Sequence, residues 1–318
     1  MRSTTVTADF LHHVGLITRD MDATIAQYER LGFAFTPLTL PRIPMRPGGE
    51  PELLGAGNRT AVFADNYLEV LAVVDEARWS SVTPQQRGPF DLDRPLARYE
   101  GLHVLHFGTD DIDALRARLT AHGVPNGGVR PYQRAVDTED GPRPMHARAM
   151  GFPPEANPEA LVQIAQHLTP ELVFQRRYQH HDNGATGIVE ITVCGDDPEG
   201  LATTYSRYTG HAYTRAGDAL TVALGRSCVR VVSPDGLPDL VPGATPPAVP
   251  SLIGFTVTVA DLNTTCALLT ARGVPFDALG DTVLVPATHA AGAVVSFTAG
   301  GDCSAAAERD PSRKDARP

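Results

Sequence analysis

The stretch LHHVGLITRD, residues 11–20, sets two adjacent histidines at the head of an apolar strand pattern, and a third, His106, stands in the similar stretch VLHFGTDD, residues 104–111. Neutral imidazole ligates divalent ions, so a histidine facing inward from such a strand suits metal binding. A hydrogen-bonded core histidine is the competing reading. His146 lies in a proline-rich insertion, PRPMHARAMGF, that either flanks such a site or is an ordinary loop. Other chemistries lack their motifs: there is no G-x-G-x-x-G after a strand, no Walker A loop, no H-E-x-x-H and no G-x-S-x-G elbow. No nucleotide cofactor and no serine hydrolysis is expected.

The elements that must position these histidines repeat four times. HVGLITRDMDATIAQYERLGF (13–33) is echoed by VLHFGTDDIDALRARLTAHGV (104–124), EITVCGDDPEGLATTYSRYTGH (190–211) and GFTVTVADLNTTCALLTARGV (254–274). Each copy carries an aspartate seven residues after its first: Asp20, Asp111, Asp197 and Asp261. There a carboxylate can cap free backbone N–H groups at the positive end of a helix. Gly32, Gly123, Gly210 and Gly273 close the helices, where a left-handed residue is wanted. Strand and turn signals follow each copy and end in an apolar run, such as TAVFADNYLEVLAVV or ALTVALGRSCVRVVS. The result is four βαβββ modules of α+β class. A half-open sheet cannot close a core alone, so modules should pair into two curved eight-stranded platforms, one domain over 1–180 and a second over 181–300. The tail 301–318 has no apolar periodicity and is expected to be disordered.

Period-two alternation then assigns faces. In the first strand Val14 and Leu16 should pack on the helix, leaving His13, Gly15 and Ile17 concave. In the second module Leu105 and Phe107 take the helix side, and Val104, His106 and Gly108 the concave side. The third and fourth modules offer Glu190, Thr192, Cys194 and Gly254, Thr256, Thr258 to their cup. By the same parity His12 points away, toward the helix layer or the strand entrance.

The fourfold βαβββ series, the opening HHVGLITRDMDATIAQYERLGF and the strand NYLEVLAV resemble the vicinal oxygen chelate (VOC) superfamily, the group of glyoxalase I, bleomycin resistance proteins and extradiol dioxygenases. QIAQHLTPELVF and HDNGATGIVEI are similar to its glyoxalase-like branch. The resemblance spans residues 11–300. It implies metal ligands from the first and last strand of each module: His13 and Glu69 in the first, His106 in the second, with Gln163 or His167 completing the shell or positioning substrate. Val104 stands at the usual first-strand position of the second module, and no glutamate occupies its last strand. Both are departures from the family pattern. Tyr67, on the face of Glu69, and His146 are further substrate-side candidates. His181, Asn183 and Gly184 match a branch motif, although Asn-Gly is equally a hairpin-turn signal.

Two imidazoles and a carboxylate suit Fe, Mn, Zn or Ni as divalent ions. The resemblance implies an isomerase or lyase acting on a small carbonyl or vicinal-oxygen substrate, with Glu69 as ligand and proton shuttle. Two alternatives stand beside it: an Fe(II)-dependent dioxygenase, and a non-catalytic small-molecule-binding protein. The latter needs an aromatic cup, and aromatics are 6% of the chain. The second cup has Glu190 and Arg230 where the first has His13 and Glu69, so a structural ion pair is expected there in place of a metal.

A formal net charge of −10, with no basic run in the body, argues against nucleic acid as a partner. Of 27 basic residues only Lys314 is lysine. Cys194, Cys228, Cys266 and Cys303 lack C-x-x-C spacing and read as thiols of a reducing compartment. With no apolar leader and no spanning apolar run, a cytoplasmic protein without membrane contact is expected, a monomer or homodimer whose partner is a small-molecule substrate.

Overall fold

The structure is a computed structural model that describes residues 6–45 and 49–300. The tail 301–318, and Cys303 with it, lies outside the described residues. Among the described residues seventeen strands run in chain order: β1 Phe10–Ile17, β2 Arg42–Pro44, β3 Pro51–Leu53, β4 Ala56–Val62, β5 Tyr67–Val73, β6 Gly101–Gly108, β7 Arg130–Val136, β8 Arg143–Gly151, β9 Leu161–His167, β10 Ala185–Cys194, β11 Tyr213–Ala216, β12 Ala219–Ala223, β13 Cys228–Val232, β14 Ser251–Val259, β15 Asp277–Leu279, β16 Thr282–Val285 and β17 Val294–Thr298. They build two curled mixed sheets, ordered β4-β5-β1-β6-β9-β8-β7 and β11-β12-β13-β10-β14-β17-β16-β15, plus the small ribbon β2-β3. The architecture is α+β, with four modules paired into two curled-sheet halves.

The four repeat helices are Met21–Arg30, Ile112–Ala121, Pro198–Thr209 and Leu262–Ala271. Asp20, Asp111, Asp197 and Asp261 each accept a hydrogen bond from a first-turn backbone N–H. Gly32, Gly123, Gly210 and Gly273 all have positive φ, which spares them the steric cost a side chain would meet there. Apolar alternation on the strands follows the helices: Val14, Leu16, Leu105, Phe107, Ile191, Val193, Phe255 and Val257 enter one core cluster that runs through both halves of the chain. Burying each such side chain is worth about 1.5–3 kcal/mol.

One expectation fails. The N-terminal sheet has seven strands, because the proline-rich segment before β4 does not supply an eighth. Proline lacks the ladder donor, and the described residues of this segment make the β2-β3 ribbon and an isolated bridge, Thr39 with Asn58. The C-terminal sheet has the full eight.

The HHDNG stretch joins the halves. His181 accepts from the Ala34 backbone N–H through Nδ1 and donates from Nε2 to the Val62 carbonyl, while Asn183 donates to the Leu31 carbonyl. These residues are spent on structure. No described helix is long and apolar enough to cross a membrane. Among the described residues Cys194 and Cys266 are free thiols, and the Cys228 thiol points to Glu190 Oε2 at 3.7 Å.

Candidate functional site

The site begins with a fault in a strand ladder. In the antiparallel pairing of β1 with β6, Leu11 faces Phe107 and the next matched pair is His13 with His106, so His12 is an extra residue. Such a bulge rotates the chain locally and places successive side chains on one face. Leu11 and Val14 both enter the core on the helix side, and the two histidines between them both face the cup. His12 Nδ1 lies 2.8 Å from His13 Nδ1. The expectation that His12 points away is therefore corrected, and the cause is the one-residue phase shift.

The cup gathers more rings around this pair. His13 stacks on Tyr67 with centroids 4.5 Å apart and meets His106 at 4.1 Å, while His12 meets His167 at 4.2 Å. Parallel pairing of β1 with β5 puts Glu69 beside Gly15, and its Oε2 is 3.7 Å from His13 Nε2. A Cβ on Gly15 would sit 2.9 Å from that of Val104, so the close approach of the strands here needs glycine. Asn58 on β4 donates from its amide to Glu69 Oε1. Gln163 is the ladder neighbour of His106 on β9 and lies opposite in parity to Val162 and Ile164, which enter the core. His146 is not brought in: Met145 and Ala147, its neighbours on β8, pack with Tyr67, Leu172 and Val173, and His146 takes the other face.

Burial sets the protonation of the group. It pushes His12 and His13 well below the usual imidazole range, helped by the neighbouring histidines, His167 first for His12 and His106 first for His13. Desolvation takes His106 down to about 3 and His167 down to about 4. Glu69 moves upward, again by desolvation, opposed by the Asn58 hydrogen bond and the charge of Arg134. The cluster is thus built of neutral imidazoles and a carboxyl drawn toward its neutral form.

The neutral imidazoles suit a divalent ion in donor type and charge state, and the Nε2 of His12 is buried with no hydrogen-bond partner among the described residues. In the rotamers present, however, no group of three or more His, Cys, Asp and Glu side chains among the described residues could hold a metal ion. His13 Nδ1 is engaged with His12, and Glu69 with Asn58.

Beside the cluster opens a cleft of about 660 Å³. One wall is the proline-rich segment, with Leu38, Thr39 and Leu40. The other is Arg134, Val136 and Leu172, and Thr60 and Val62 form part of its lining. Thr60 and Val62 are the ladder partners of Glu69 and Tyr67.

The second cup repeats the backbone and changes the chemistry. The β10–β14 ladder skips Val189 between Ile188–Val257 and Glu190–Thr256, which is the same bulge. Thr192 is paired with Arg230 as Gly15 is with Glu69. Glu190 and Arg230 thus stand at the places of His13 and Glu69. They form an ion pair, Arg230 Nη2 to Glu190 Oε2 at 2.9 Å, both mostly buried. The cavity beside them is about 80 Å³, and Thr256 stands where the first cup has His106.

Asn58, Arg134 and His12 are the site residues that strand alternation missed. For Arg134 a signal existed: Tyr132, Arg134 and Val136 are half-buried and alternate with exposed Gln133 and Ala135, the mark of one face turned toward a partner.

Two curled sheets of paired βαβββ modules with a polar cup define the VOC superfamily. The chain belongs to its glyoxalase-like domain family, whose model matches residues 11–209. Solved structures share the fold at low identity. A hypothetical protein from Staphylococcus aureus is 12% identical, with 90% of this chain and 98% of that one covered and a TM-score of 0.59. A mutant 4-hydroxymandelate synthase from Streptomyces coelicolor is 13% identical over 94% and 96%, with a TM-score of 0.52. The Mn(II)-bound glyoxalase from Novosphingobium aromaticivorans is 11% identical over 92% and 82%, with a TM-score of 0.50. No curated protein matches the sequence.

Proposed function

We propose that the N-terminal cup is the active centre of a divalent-metal enzyme of isomerase or lyase type, acting on a small substrate with a carbonyl or vicinal oxygens. One contrast carries the reading: the first cup collects four neutral histidines and a glutamate beside an open cleft, while the same backbone positions in the second cup are closed by an ion pair. His13, His106 and Glu69 would hold the ion, with His12 and His167 as adjoining imidazoles. His13 would offer Nε2, the nitrogen that faces Glu69, while its Nδ1 stays engaged with His12. A bound ion supplies Lewis acidity toward a substrate oxygen.

The chain's own residues do the rest. Low imidazole basicity keeps ring nitrogens unprotonated and available as donors to an ion at neutral pH. Glu69, held by Asn58 and drawn toward its neutral form, is placed to take and return a proton near His13. Tyr67, Met145, Ala147, Leu172 and Val173 wall the cup with apolar surface and exclude water.

The test is turnover of a panel of 2-oxoaldehydes, hydroxyketones and catechols by protein loaded with Mn, Fe, Zn or Ni, with and without oxygen. Metal-dependent turnover without oxygen is expected. Turnover only with Fe(II) and oxygen would establish the dioxygenase reading instead, and no turnover with any metal would overturn both.

A further inference from the structure

The 660 Å³ cleft is of the size that encloses a small organic molecule. Its walls are mainly apolar: Leu38, Leu40, Val136, Leu172 and Val173 line it with several prolines. Leu38 and Leu40 are 48% and 44% exposed, side by side on one rim. A paired exposure of large apolar groups at a cavity mouth is what an apolar ligand body would cover.

Three charged side chains join this lining, Arg42, Arg134 and Asp137. Asp137 is already bound by Arg177, 3.2 Å away. Arg134 is half-buried and has no carboxylate within 4 Å among the described residues. Its side chain makes one hydrogen bond there, from Nη1 to Thr39 Oγ1 at 3.0 Å. That bond spans the cleft's two walls and holds the guanidinium in the lining. Arg134 also stands close enough to the cluster for its charge to lower His13, His167 and Glu69. A guanidinium is a fork of donors matched to a carboxylate; here it is held in place with most of that fork unspent.

We infer that the cleft binds a small carboxylate with an apolar body, the carboxylate seated on Arg134 and the body against Leu38, Leu40 and Leu172. Resting on the function proposed above, this molecule is the substrate, and its oxygenated end is presented to the histidine cluster. The competing role for Arg134 is purely electrostatic, as a remote counter-charge for Glu69.

Calorimetric titration with hexanoate, 4-phenylbutyrate and phenylpyruvate, each beside its methyl ester, separates the two. At least one acid should bind wild-type protein at least tenfold more tightly than its ester. Arg134→Gln should abolish that preference while leaving ester binding unchanged, and Arg134→Lys should restore part of it. His13→Ala should lose metal yet keep the acid preference, whereas a wild-type protein that prefers the acid but turns over no substrate with any metal would refute the enzymatic reading and leave the carboxylate site standing. Equal binding of acid and ester by wild-type protein, no binding of any acid, or an Arg134→Gln variant that still prefers the acid would each overturn the inference.

Discussion

His12 and His13 are consecutive residues of one strand, yet both rings lie in the same cup with their Nδ1 atoms 2.8 Å apart. Only one of the two can carry the proton between them, so each fixes the tautomer of the other. Removing His12 should therefore release His13 rather than weaken it: His12→Ala is expected to hold Zn or Mn as tightly as wild type or more so, by calorimetry. A large loss of affinity would make His12 a ligand itself.

His13→Ala and His106→Ala should each lower metal affinity at least about tenfold, the scale set by loss of even indirect support to a ligand. Retained melting temperature in the metal-free state would show that the loss is local.

Asn58 holds one Glu69 oxygen. Asn58→Ala should cost about 10–100-fold in metal affinity or turnover through loss of that support. Glu69→Gln should cost more, and the double variant should add little to Glu69→Gln, since both act through one carboxyl.

Acid should unfold the metal-free protein early. His12, His13, His106 and His167 are all depressed by burial, so the unfolded chain binds their protons first and stability is lost as pH falls from the ordinary imidazole range toward about 4 and 3, the values of His167 and His106. Glu69, shifted upward, acts in the opposite sense, and its share is lost as pH rises through its folded value. Urea midpoints at pH 7 and pH 5 should differ more for wild type than for His106→Gln. An equal difference would place the acid sensitivity elsewhere.

In the second cup, Arg230→Ala should destabilise by about 3–5 kcal/mol because it strands a buried carboxylate, while Glu190→Leu with Arg230→Met should recover much of that loss. Urea denaturation of wild type and the two variants decides it. If the single and double variants are equally stable, the pair does not close the cup.

Much of this molecule is legible in its sequence because regular elements obey fixed periods. The repeats, the aspartate caps, the glycine terminators and the helix-facing positions Val14, Leu16, Leu105 and Phe107 all follow from 3.6- and 2-residue periods. What alternation misplaces lies where the period breaks. His12 is the extra residue of a bulge that no single-strand reading registers, and the seven-stranded sheet follows from prolines that remove ladder donors. Asn58 and Arg134 sit on strands with regular spacing, but their importance comes from what faces them across the cup, Glu69 and the cleft. That is tertiary information.

The bulge recurs at Val189, in a cup whose described lining has no histidine. The backbone device is therefore not a by-product of the chemistry it serves, and the protein carries its own blank mould of the site. Val189, Glu190, Thr256 and Arg230 occupy the places of His12, His13, His106 and Glu69, so grafting the four side chains would ask whether the mould alone suffices. A second ion per chain after that graft would mean that architecture confers the site; its absence would mean that the surrounding residues, Asn58 and Tyr67 foremost, are part of the specification.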